Sequence, residues 1–239
     1  MKKIIISITL FLITVLVSIP LIRANTQSRQ RHAIYYGVTI ILDAGHGGKD
    51  GGASSKEGLV ERDLVFNITG MVEEQLRFQG FDVVLTRVDE YDLASPHATN
   101  RKREDLSRRV QIINTIDNAI AVSIHANAIS DVRWSGPQVF YDARSLENKE
   151  LATHIMTSMR VNIEGLMREQ RPISNIYILR NSEVPTALVE VGFLSNIEEA
   201  RLLADEDYQH LMAYAIFEGI LSFVESTGTS ASILEVESE

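Results

Sequence analysis

Val38-Thr39-Ile40-Ile41-Leu42-Asp43-Ala44-Gly45-His46-Gly47-Gly48-Lys49-Asp50-Gly51-Gly52 opens the folded part of the chain. Val38 to Leu42 is a short β-favouring apolar run that ends at Asp43, and the glycines that follow, with Gly58, punctuate a loop. The stretch therefore reads as a buried strand feeding a functional loop. Beyond it, Leu64, Val65, Ile68, Met71, Val72 and Leu76 recur at helical spacing from about Glu61, with Gly80 as the stop. Phe81 to Arg87 predicts a second strand. A polar stretch with Pro96 and the charged run Arg101 to Arg109 predicts a helix ending near Asp117. Ala119 to Ile124 predicts a third strand, closed by His125.

The second half continues the alternation without repeating sequence. Gln138 to Tyr141 reads as a strand, Ser145 to about Leu166 as a helix, and Asn175 to Leu179 and Thr186 to Val191 as two more strands. Ser195-x-x-Glu198 has the form of a capping box for a short helix through Leu203, and Tyr208 to Val224 is amphipathic at helical period. Strands interleaved with helices predict an α/β fold: a single domain with a largely parallel twisted sheet flanked by helices.

The sequence of 239 residues suits one such domain with flanking segments. Its 45% apolar and 23% charged residues are those of a chain able to bury a core. A net charge of -9 leaves no basic field for gripping nucleic acid, which excludes that class of partner. With no cysteine, disulfides and thiolate metal sites are excluded as well, so any metal falls to His, Asp or Glu.

Lys2 and Lys3 precede an uncharged, mostly apolar run from Ile4 to Ile22, the layout of a signal peptide or a membrane anchor. Cleavage and anchoring both stay open, because the run could just span a bilayer yet is diluted by Ser7, Thr9, Thr14, Ser18 and Pro20. Either way the body is expected to be exported across the cytoplasmic membrane, touching the membrane only through this segment. The expected organisation is signal or anchor at 1–25, a polar linker at 26–37, the folded domain at 38–226 and a loose tail at 227–239.

In a parallel α/β sheet, functional groups gather where strands end and loops begin. His46 follows the first strand, Glu61 opens the first helix, His125 closes the third strand, and Glu190 ends the apolar run Ala187-Leu188-Val189. Two imidazoles and a carboxylate suit a catalytic zinc with an open position, and the remaining carboxylate can then act on water. Taken singly, each has a plainer reading: a strand-end histidine held by hydrogen bonds, or Glu61 favouring a helix N-terminus through the dipole. Glu190 is harder to explain so, since a carboxylate among apolar neighbours carries a desolvation cost unless paired or metal-linked. His32, His97, His154 and His210 read as linker, loop or solvated helix positions.

Asp43-Ala44-Gly45-His46-Gly47-Gly48-Lys49-Asp50-Gly51-Gly52-Ala53, Glu61, Ser123-Ile124-His125-Ala126-Asn127-Ala128 and Glu190-Val191-Gly192-Phe193-Leu194-Ser195-Asn196 together resemble the zinc N-acetylmuramoyl-L-alanine amidases, in order from about Val38 to Val224. The resemblance implies one zinc ion per chain held by His46, Glu61 and His125, with Glu190 as general base. It implies hydrolysis of the amide between N-acetylmuramic acid and the L-alanine of the stem peptide, with peptidoglycan glycan strands and stem peptides as partners. Asn127 and Arg109 fall at recurrent motif positions, as support or substrate contacts. Ala44 and Gly51 stand where many members carry proline, which loosens the loop but removes no ligand.

The short layout, the stretch Arg101 to Arg109 and Trp134-Ser135-Gly136-Pro137-Gln138 are similar to the sporulation branch, whose members strip stem peptides in the spore cortex on the way to muramic δ-lactam. Trp134 reads either as a rim stacking on sugar or as a loop anchor. The stretch from Arg101 reads either as a solvated helix start or as a substrate grip. A zinc peptidase acting within the stem peptide, a non-catalytic wall-binding protein of the same fold, and a need for an accessory exported protein remain open alternatives at this level.

Overall fold

The computed structural model describes residues 37–228. The expected signal or anchor, all but the last residue of the linker, and nearly all of the tail lie outside them. Strands β1 (Thr39–Ala44), β2 (Asp82–Leu85), β3 (Ala119–Asn127), β4 (Gln138–Tyr141), β5 (Arg171–Pro172) and β6 (Thr186–Phe193) form one sheet in the order β2-β1-β3-β6-β4-β5. β2, β1, β3 and β6 are mutually parallel; β4 runs antiparallel to β6 and parallel to β5. The helices are α1 (Glu61–Phe78), α2 (Arg101–Asn114), α3 (Leu146–Asn162), α4 (Tyr177–Asn181), α5 (Ile197–Ala204) and α6 (Glu206–Ser226). The fold is thus the expected single-domain α/β type.

The two faces of the sheet are covered unequally, and strand alternation decides which residue meets which cover. Ile40, Leu42, Ile120, Val122, Ile124, Ala187 and Val189 point into the large core shared with apolar residues of α1, α3 and α6. Ile41, Ala119 and Ala121 point the other way, into a small cluster with Val110 and Ile113 of α2 and Ile178 of α4. Along that thinner side the next residues of the same parity are Asp43, Ser123, His125 and Glu190. The side therefore turns from apolar to polar toward the carboxyl ends of β1, β3 and β6, and chemistry is concentrated there.

Several elements differ from the sequence reading. Asn175 to Leu179 is not a strand: Arg180 N–H bonds Ile176 C=O and Ser182 N–H bonds Ile178 C=O, closing the helical turn of α4. A five-residue apolar stretch is too short for its period to separate helix from strand. α3 stops at Asn162 rather than Leu166, and α2 at Asn114 rather than Asp117. β2 is confined to Asp82–Leu85, while β3 runs on past His125 to Asn127. The two-residue β5 carried no strand signal at all. The capping box also falls elsewhere: Asn196, not Ser195, caps α5 by accepting from Glu199 N–H at 3.1 Å.

Candidate active site and metal centre

β1 ends at Ala44, and the glycine loop turns His46 back over the sheet with φ of 61°. Such a left-handed backbone is uncommon for a residue with a Cβ and is held by its surroundings. α1 begins at Glu61, whose carboxylate accepts from Ala53 N–H at 2.7 Å and Ala126 N–H at 3.1 Å. β3 delivers His125. The three converge: Glu61 Oε1 is 3.0 Å from both His46 Nε2 and His125 Nδ1, and one donor atom from each residue falls within 4.8 Å of the others. The imidazole rings meet edge-on, 5.0 Å between centres.

The donor set tests well against a divalent ion. Two imidazoles and one carboxylate suit zinc, and their ligand atoms converge on one point, all within 4.8 Å of one another. Burial alone would raise the Glu61 pKa and lower that of His46. The hydrogen bonds and charges of His125 and His46 on Glu61, and of Glu61 and Asp50 on His46, reverse both, holding Glu61 well below the usual carboxylate range and His46 above the usual imidazole value. Asp50 Oδ1 lies 3.0 Å from His46 Nδ1 and also accepts from Gly52 N–H at 3.0 Å. This arrangement favours the His46 tautomer that leaves Nε2 for a metal.

The glycines here make room. A Cβ on Gly45 would overlap the His125 ring, and one on Gly52, at φ +68°, would overlap Glu61 and the His46 ring. Only a bare backbone lets the three side chains close on one point.

Glu190 stands beside this cluster, opposite His125 in the β3–β6 register. Its Oε2 is buried with no hydrogen-bond partner, one of two such side-chain atoms among the described residues. Burial pushes its carboxyl up to about 7, the nearby imidazoles moderating and Glu61 adding to the rise. Glu190, His46, Glu61 and His125 all line a cleft of about 440 Å³, with Asn127, Lys102, Leu106 and residues 175–178 among its other walls.

The remaining sequence candidates separate. Asn127 lines the cleft. Arg109 also borders it, but is only 1% exposed and its guanidinium is consumed internally, donating to Asp43 Oδ1 at 2.7 Å, Asp105 Oδ2 at 2.8 Å, Ala44 C=O at 2.7 Å and His46 C=O. That is the geometry of support. Trp134 is not among the residues lining the cleft: it sits by a separate hollow with Asp131, Arg133, Ser135 and Arg168, its ring 6.5 Å from that of Phe193, and Arg168 lies over both rings.

Sequence reasoning missed Asp50, Arg87 and Glu199. Asp50 had a signal, four residues after His46. Glu199 had a misleading one, since its neighbour Glu198 fitted the capping pattern. In the fold Glu199 accepts from Phe193 N–H at 2.9 Å and from Gly136 N–H at 2.5 Å, bracing the end of β6. Its pKa is raised by burial, the two N–H bonds partly offsetting.

The model of the N-acetylmuramoyl-L-alanine amidase family matches residues 40–222. The germination-specific N-acetylmuramoyl-L-alanine amidase of Bacillus subtilis (strain 168) is 42% identical over 196 residues, covering 80% of this chain and 82% of the relative. Among solved structures, the CwlD amidase of Clostridioides difficile, in complex with the GerS lipoprotein, is similar with TM-score 0.75 and 39% identity over 79% of this chain and 98% of that one. The amidase AmiC2 of Nostoc punctiforme is similar with TM-score 0.70 and 30% identity over 80% of this chain and 99% of that one. A family match over residues 40–222, on a fold that brings the motif residues together in one cleft, shows that this chain belongs to the N-acetylmuramoyl-L-alanine amidase family.

Proposed function

We propose that the chain hydrolyses the amide between the lactyl group of N-acetylmuramic acid and the L-alanine of the stem peptide, with zinc held by His46, Glu61 and His125 and Glu190 as general base. The observation that carries this reading is the unpartnered, buried Glu190 Oε2 beside the His-Glu-His cluster. A carboxylate kept without a partner at that point has a use in moving a proton and little in binding alone.

Zinc in this site would supply Lewis acidity, polarising the amide carbonyl and lowering the pKa of water to about 7. His46, Glu61 and His125 would hold it, with Asp50 orienting His46. Glu190 takes the proton of the attacking water as the new C–O bond forms. It returns a proton to the leaving nitrogen as the C–N bond breaks, releasing the amine of L-alanine. Burial raises the Glu190 carboxyl above the usual carboxylate range, the direction that suits a group taking and returning a proton near neutral pH. Asn127 lies along the cleft wall as a substrate contact, and Arg109 supports the His46 loop from beneath.

The germination-specific name of the Bacillus subtilis relative supports a role in spores; the proposed setting is the spore cortex, and the proposed outcome a step toward muramic δ-lactam. Export follows from the N-terminal pattern; among the described residues no helix is long and apolar enough to cross a membrane. The lipoprotein bound to the similar Clostridioides difficile amidase supports an exported accessory partner for this chain too.

Digestion of purified peptidoglycan followed by mass spectrometry tests the reading. Free peptides beginning with L-alanine, beside peptide-free glycan, are expected; shortened peptides still attached to sugar would indicate a peptidase instead. Glu190→Gln should retain zinc while turnover falls by roughly two to four orders of magnitude. Near-normal turnover in that variant removes Glu190 from the mechanism. Cortex from a strain lacking the gene should lack muramic δ-lactam, and unchanged lactam content would refute the cortex assignment.

A further inference from the structure

Arg87 is a buried cation with no carboxylate among its hydrogen-bond partners. It is 2% exposed, yet its guanidinium donates only to carbonyls: Nε to Ala44 at 3.0 Å, Nη2 to Gly45 and Arg62, each at 3.2 Å, and Nη1 to Asp89 at 2.9 Å. Its Cζ sits 4.7 Å over the Phe66 ring. Burial, with the like charge of Arg109 close by, presses its pKa down to about 10. A guanidinium so placed is expensive to bury, and a domain core has no need of one.

What the position achieves is visible in the loop it grips. Arg109 donates to the carbonyls of Ala44 and His46, and Arg87 to those of Ala44 and Gly45. Three consecutive carbonyls, from the end of β1 to the turn at His46, are thus fixed by two guanidinium groups, one from the segment after β2 and one from α2. A rigid planar fork can hold carbonyl directions in a way a single ammonium cannot. His46 is the residue whose left-handed backbone needs such restraint, and the direction of its ring toward Glu61 depends on that backbone.

We propose that Arg87 is a positioning residue for the metal centre: with Arg109 it clamps the carbonyls of Ala44, Gly45 and His46, and so holds His46 aimed at Glu61 and His125. The proposal rests on the reading of those three residues as metal ligands. Phe66 belongs to the same device, since its ring carries the Arg87 guanidinium from beneath.

The test is zinc affinity of the full chain, measured by competition with a chromophoric chelator, alongside thermal melting of the metal-free protein. Arg87→Gln should bind zinc roughly 10- to 100-fold more weakly, the usual scale for losing a group that orients a ligand. Arg87→Lys should recover part of the loss, and Phe66→Leu, which keeps an apolar side chain but removes the ring, should weaken zinc by a smaller factor. Ile216→Ala, a cavity on α6 in the large core at a residue that makes no hydrogen bond to the loop, serves as the stability control and should lower melting while leaving zinc affinity alone.

Equal zinc affinity in wild type, Arg87→Lys and Phe66→Leu would overturn the proposal. So would a loss in the Arg87 variants no larger than in an equally destabilised Ile216→Ala. Failure of the wild type itself to bind zinc would overturn the metal reading instead, which keeps the two failures apart.

Discussion

Replacing Asp43 by Asn changes one charge at a buried, triply hydrogen-bonded point of the cleft wall. Asp43 is fully buried and takes three short bonds, from Thr86 Oγ1 at 2.6 Å, Ser123 Oγ at 2.6 Å and Arg109 Nη1 at 2.7 Å. Burial by itself would raise its pKa. The Arg109 charge and the two hydroxyls more than offset that and hold it at about 2, against 3.8 for the free group. A depression of that size favours the folded, ionised form by about 2–3 kcal/mol. Removing one member of a buried pair typically costs about 3–5 kcal/mol, and here Arg109 keeps Asp105 as a second partner, so about 2.5–4 kcal/mol is expected.

For a domain of this size that is a fall in melting temperature of roughly 5–15 °C. The sign of the pH dependence follows from the depressed pKa. The Asp43 contribution is complete above its unfolded value and is lost as pH falls through about 2. The gap between wild type and Asp43→Asn should therefore be full at neutral pH and roughly halved near pH 3. Urea melts followed by circular dichroism at several pH values measure it. A neutral-pH midpoint for Asp43→Asn indistinguishable from wild type, or a gap that does not narrow in acid, would refute the argument that the Arg109 charge holds Asp43 ionised.

Gly45→Ala should leave the chain folded but displace the His125 ring from Glu61, weakening zinc binding; crystals of the variant with an undisturbed His125 would contradict the packing argument. Glu190→Gln should raise the stability of the metal-free chain at alkaline pH and change it little in acid. The reason is that a carboxyl raised to about 7 stabilises the fold fully below its unfolded pKa and ceases to as pH rises through 7. Thermal melts of both chains in chelator decide this, and a Glu190→Gln variant no more stable than wild type under alkaline conditions would show that burial is not straining that carboxyl.

The sequence determined the fold class, because hydrophobic period is local: Val38 to Leu42 and Ala119 to Ile124 read as strands, and Leu64 to Leu76 as a helix, from their own residues. It also exposed the chemistry-bearing types, since an imidazole after a glycine loop or a carboxylate inside an apolar run stands out without a partner in view. What it left to the tertiary structure were relations between distant segments. The antiparallel β4, the helical turn at Tyr177–Asn181 and the two-residue β5 depend on what the chain packs against. So does the division of labour among charged residues. Nothing in the sequence marks Arg87, and Arg109 stands out there only as a motif position; the two become a buried clamp only because the segment after β2 and helix α2 bring them to the turn at His46. Alternation placed Asp43, Ser123, His125 and Glu190 on one side of the sheet, but only the parallel register of β1, β3 and β6 made them neighbours. Sequence separation does not limit electrostatics, so the charges that matter to one another can be paired only once the chain is folded.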